Sequence, residues 1–175
     1  MAAGVTTVVG NKVGWELATL GKLTDIDSVA QVGSVNIYRN IPGAISRDDL
    51  GNEYVYLAGC AATVAGSWVM YDENFLSSLL VTTTACFGPV AVALNPVLAL
   101  QYGWYAIRHN FVFGQCISDT FADDSPCYST STAGSVDDDT GAGQTVYGAW
   151  NRTLGTTTSS NFQIIYPFIQ GQSGA

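Results

Sequence analysis

Apolar and polar residues alternate with period two along much of the chain, and turn residues break the alternation at short intervals. That pattern is the mark of half-buried strands rather than helices. The runs Val32–Tyr38, Tyr54–Leu57 and Ser67–Tyr71 alternate in this way, and Val90–Leu94 follows Gly88-Pro89 and stops at Asn95-Pro96. Val97–Ile107 and Phe111–Ile117 read as two strands joined by a turn at Arg108-His109-Asn110, where asparagine tolerates the left-handed conformation. Gln144–Trp150 and Asn161–Ile169 complete the set. Strands therefore recur about every 8 to 15 residues, the spacing of a small barrel or sandwich. Helical signal is weak, and its best case is a single turn within Ala93–Leu100 with proline at the first helical position.

The expected fold class is all-β, a small β-barrel or sandwich with an extended N-terminal arm. Residues 1–50 are assigned to the arm, which carries a short strand, 51–169 to the barrel body, and 170–175 to a flexible tail. Gly4–Gly14 is small and β-branched, with no aromatic before Trp15, so it buries little apolar surface alone; it either lies on the body or on a neighbouring subunit, or is a floppy terminus. The acidic, glycine-rich stretch Thr132–Gly143 reads as an exposed loop.

Composition narrows the function classes. At 175 residues the chain is of ordinary single-domain size, and 47% of it is hydrophobic while only 11% is charged. Glycine (19 residues) and neutral polar side chains must build its surface. The net charge of −8 repels phosphate backbones and anionic lipid, so neither nucleic acid nor membrane is an expected partner. Glycine and proline interrupt the uncharged stretch 74–107, which therefore reads as sheet interior and not as a transmembrane helix. The N-terminus shows no basic region followed by an apolar run, so the reading is a chain not exported by a signal peptide.

Cys60, Cys86, Cys116 and Cys127 show neither metal-ligand nor redox-pair spacing, and in a reducing compartment they are expected to pack as free thiols. No metal or cofactor is expected. His109 falls at the predicted turn without a nucleophile motif and reads as solvent-facing. Asp137-Asp138-Asp139 lacks the ligand spacing of a calcium loop and reads as a solvated acidic turn. Asp123 and Asp124, in a predicted loop, are not held at the fixed separation that glycoside cleavage needs. Gly141-Ala142-Gly143 lacks the third glycine of a dinucleotide fingerprint, and Asn151-Arg152-Thr153 matches a glycosylation acceptor without a secretory context. No enzyme is read here.

Aromatic residues are the remaining lead. Trp68, Trp104 and Tyr105 stand in alternating strands with one face buried, whereas Trp15 stands in the arm, where an anchor into a partner's pocket fits better than a core role. The expected partner contacts are Val5, Val8, Val9, Trp15, Leu17 and Tyr38.

The blocks Tyr54–Gly59, Gly66–Asp72, Gly88–Ala93, Gln101–Tyr105 and Ala133–Asp138, in this order, resemble small β-barrel virion proteins of tailed bacteriophages that sit on the head as decoration or cement proteins. The resemblance implies a structural protein on the exterior of the phage head, without active site or cofactor. It implies many copies, made in the host cytoplasm, on the outer surface of the assembled major capsid protein shell; a homo-oligomer is expected, either a dimer or a trimer at a symmetry axis. The alternative reading from the aromatics and the neutral surface is a receptor- or carbohydrate-binding module on a tail or fibre.

Overall fold

The computed structural model describes residues 40–82, 86–117, 121–139, 143–153 and 158–170, together with the backbone of four short strand segments before them. Those segments are β1 (Val9–Gly10), β2 (Asp27–Ser28), β3 (Ala30–Val32) and β4 (Val35–Ile37). The strands that follow are β5 (Ile45–Arg47), β6 (Glu53–Ala58), β7 (Trp68–Tyr71), β8 (Ser77–Leu79), β9 (Gly88–Ala93) and β10 (Gln101–Gln115). The last are β11 (Pro126–Ser129), β12 (Val136–Asp137), β13 (Thr145–Asn151) and β14 (Ser159–Ile169). Among the described residues there is no helix, so the fold is all-β as expected.

One open antiparallel sheet runs in the order β1-β5-β6-β10-β9-β14-β13-β11-β12, with β7 on β9, β8 on β7 and β2 on β10. It has the character of a barrel-like sandwich, because β9, β10 and β14 all bond to one another. The first half of β10 lies between β6 and β9, and its second half pairs with β14.

That change of partner corrects the expected turn at Arg108-His109-Asn110. The register of β10 slips between Ala106 and Arg108 against β6, and again between His109 and Val112 against β14. Extra residues in one strand bend it and increase its twist, so the chain changes direction through bulges and remains a strand. At the polar interruption seen in the sequence, Arg108 and Asn110 are exposed and His109 is half-buried.

Three further expectations change. Val32–Tyr38 is not one strand: β3 and β4 pair antiparallel, with Val32 opposite Val35. The helical turn in Ala93–Leu100 does not form, because Ala99 bridges to Gly59 and Leu100 takes a left-handed φ of 66°. Nor is Thr132–Gly143 an exposed loop throughout. Gly134 accepts the Trp68 amide at 2.9 Å and donates to the Leu80 carbonyl at 2.7 Å, which buries Gly134, Ser135 and Val136. Two backbone groups that would otherwise be orphaned are satisfied there.

The core has two parts because the central strands are buried on both faces. Tyr54, Tyr56, Val90, Val92, Trp104 and Ala106 face the larger cluster, with Trp68, Phe121, Phe162, Ile164 and Ile169. Their neighbours Val55, Leu57, Ala91, Ala93, Tyr105 and Ile107 face the smaller one, closed by Val97, Phe75 and Leu79. The one-faced burial expected from the alternation therefore does not hold for β6, β9 and β10. Connecting segments cover the second face.

Candidate functional site

The last strand carries an unbroken apolar run, Ile164-Ile165-Tyr166-Pro167-Phe168-Ile169, where alternation would place polar residues. β14 bulges within it. Tyr147 of β13 sits opposite Phe168 and Ala149 opposite Ile164, which leaves three residues of β14 facing Gly148. Pro167 suits this place because it has no amide to offer a ladder, and Tyr166 takes a left-handed φ of 46°. Gly148, itself at φ 74°, lets the bulge approach: a Cβ there would stand 2.5 Å from the Ile165 carbonyl oxygen. Gly148→Ala is expected to cost about 2 kcal/mol, from the left-handed backbone and the displaced carbonyl together. Gly51→Ala, also at positive φ but in open space, controls for the backbone part alone and is expected to cost about 1 kcal/mol in the same urea titration.

The bulge forms one wall of an open apolar depression. Tyr166, Pro167, Phe168 and Ile169 face Phe87, Pro89, Tyr71 and Ile107 across a volume of about 530 Å³. A second lobe of about 680 Å³ shares Tyr71, Phe87, Gly88 and Pro89 and continues to Asp72, Glu73, Phe75 and Leu76. The start of β9 thus lines both depressions, together called the groove. Phe87 is 77% exposed, and Tyr166 and Phe168 are about half exposed. Beyond the wall, Tyr147 stacks on Phe168 with centroids 5.0 Å apart and planes 18° from parallel, a cross-strand pair that extends the apolar surface.

Tyr166 joins the groove to a polar hub. Its hydroxyl donates to Glu53 Oε2 at 2.5 Å, Arg47 pairs with Oε1, and Arg108 reaches the same oxygen at 3.4 Å. Burial pushes the Glu53 carboxyl up, but the hydrogen bonds from Tyr166 and Arg47, the Arg47 charge and the Arg108 bond outweigh it and hold the group below its ordinary value. Beside it, Asp48 accepts from the Leu50 and Asn52 amides, the Asn52 side chain and the Tyr54 hydroxyl. These bonds likewise overcome burial and lower the Asp48 pKa. The hub ties β5, β6, β10 and β14 together, and no nucleophile with a poised base belongs to it.

His109 lies in the bent strand, not at a turn. It is half-buried, accepts the Phe111 amide on Nδ1 at 3.0 Å and meets the Tyr54 ring edge-on, and burial lowers its pKa against a smaller opposing effect of Asp48. Burial raises the Asp137 pKa, with Asp138 beside it, while Asp138 accepts the Ala122 amide at 2.8 Å. Among the described residues no three His, Cys, Asp or Glu side chains converge as metal ligands. Asp124 pairs with Arg152, and Asn151 is buried, donating to the Ala122 carbonyl and accepting from Ser160, which makes it a structural amide and not a glycan acceptor. Cys86, Cys116 and Cys127 are buried and Cys60 is half-buried, and none of the four is in a disulfide.

Of the expected partner contacts, Val5, Val8, Trp15, Leu17 and Tyr38 lie outside the described residues. Val9 is described only as backbone, opposite Arg47 in β1. Trp68 and Trp104 are core, and Trp150 is partly exposed. The groove was missed from the sequence, although the apolar run of β14 and the Phe87-Gly88-Pro89 step were its visible signals. No family model, curated protein or solved structure matches this chain.

Proposed function

We propose that the chain is a structural virion protein, a head decoration or cement protein that binds the outer surface of an assembled major capsid protein shell and stabilises it without catalysis. The observation that carries this reading is the open apolar groove at Phe87, Tyr166 and Phe168, since contiguous exposed apolar surface marks a protein contact. The sequence blocks that resemble decoration proteins supply β6, β7, β9 and the first part of β10, so two of them flank the groove. A low-charge, aromatic-rich surface suits interfaces whose centres exclude charge. Occupying only the assembled shell stabilises it by mass action, and many modest contacts add up across the array.

Copies per particle, measured by densitometry of purified virions, test the location. A head protein is expected at hundreds of copies, whereas a few to a few dozen would place the chain on the tail and overturn this reading. Phe87→Ser, at a mostly exposed position, is expected to change folding stability by less than about 0.5 kcal/mol while reducing retention on shells. Urea unfolding and co-sedimentation measure the two effects separately.

A further inference from the structure

We infer that the groove at the start of β9 is a docking site for an extended apolar peptide segment flanked by lysine or arginine. The first lobe is lined almost wholly by hydrocarbon and aromatic surface, from Tyr71, Phe87, Pro89, Ile107, Pro167 and Phe168. Its Tyr166 hydroxyl is already committed to Glu53. Few polar groups remain there to satisfy the hydroxyls of a sugar, so the lining selects an apolar occupant. The groove consists of two open depressions side by side at the start of β9, an arrangement that suits a chain spanning both better than an enclosed small molecule.

Charge decides what flanks the apolar part. The second lobe is more polar, lined by Ser77 and Ser78 and by the exposed Asp72 and Glu73. Asp72 uses Oδ1 to accept the Asn74 and Leu76 amides, which fixes its carboxylate at the rim. Arg47 and Arg108 are engaged by Glu53 and Arg152 by Asp124, so among the described residues neither rim acid has an ion-pair partner. A chain of net charge −8 adds a field of the same sign. A cationic side chain beside the apolar segment would complete the rim, and an anionic one would be rejected. Two backbone positions along the groove, Phe75 and Tyr166, are held at φ 60° and 46°. Such strained conformations persist where surrounding structure fixes a shaped surface.

This inference deepens the shell-binding reading by naming the chemistry of the partner segment, and its test needs no shell. The isotope-labelled full chain is titrated with a synthetic peptide alternating proline with leucine and phenylalanine and ended by lysines, and with its glutamate-ended counterpart. The lysine peptide is expected to shift amide signals at Tyr71, Phe87 and Phe168, and to bind at least about tenfold more tightly than the glutamate peptide. Asp72→Asn with Glu73→Gln is expected to weaken it about fivefold and flatten its salt dependence; the asparagine keeps the oxygen that caps the turn. Phe87→Ser is expected to weaken it about tenfold, and Leu50→Ser, at an exposed position outside the groove lining, not at all. Equal binding of the two peptides, shifts elsewhere, or an unaffected Phe87→Ser variant would overturn the inference. So would concentration-dependent broadening confined to the groove without peptide, which assigns it to a second copy. A chain that fails to bind shells but takes the lysine peptide overturns the shell reading alone.

Discussion

Trp68→Ala is expected to remove about 4–5 kcal/mol of folding stability, the largest effect of any single substitution considered. Trp68 is fully buried at the centre of the larger core, edge-on to Phe162 at 5.2 Å, and Phe162 meets Phe121 in the same way at 5.4 Å. Its indole N–H donates to the Gln115 carbonyl at 3.1 Å. Truncation therefore leaves a large cavity, breaks an aromatic pair and strands a buried acceptor. Against a total stability of about 5–15 kcal/mol for a domain, that loss endangers folding itself. Trp68→Phe retains a ring and loses the N–H bond, so it is expected to cost about 1–2 kcal/mol. Urea unfolding of the two variants checks both values, and a loss below about 2 kcal/mol for Trp68→Ala would contradict the packing.

Glu53→Ala is expected to cost about 3 kcal/mol, through loss of the carboxylate that joins four strands. The figure sits at the low end for a broken buried pair because both arginines are half exposed and can be hydrated once released. The pH dependence follows from the lowered pKa. Glu53 binds fewer protons in the folded state, so its stabilisation is fully present above the ordinary value of 4.5 and is lost as pH falls through the lower folded-state value. Asp48, lowered from 3.8, adds a loss of the same sign in more acid solution. Urea midpoints followed from neutral to acid pH are expected to fall for the natural chain and to fall less for Glu53→Gln, which retains the Asp48 loss but not that of Glu53. Superimposable acid limbs would remove Glu53 from the hub.

Strand positions were legible because the alternation of Ser67–Tyr71 or Val90–Leu94 is a local property. Their partners were not. At Arg108-His109-Asn110 a turn and a bulge have the same local chemistry, and the pairing of β10 with β6 and then β14 decides between them. Gly134 is buried because the Trp68 amide and the Leu80 carbonyl need partners, a requirement set far away in the chain. The apolar character of Ile164–Ile169 is plain in the sequence, but only the fold shows that the Tyr166 and Phe168 side remains uncovered. Sequence reasoning placed the contact surface in the arm. The described residues carry a further apolar surface between β7, β9 and β14, and the arm candidates other than the Val9 backbone lie outside them.

Shell binding is the central claim, and sedimentation tests it most directly. Purified chain is mixed with empty shells assembled from the major capsid protein of the same virus, pelleted, and heated to disruption. The expected result is saturable co-sedimentation, a raised disruption temperature, and a clear loss of both with Phe87→Ser. A chain that stays in the supernatant at every concentration, with shells that disrupt at an unchanged temperature, would contradict it.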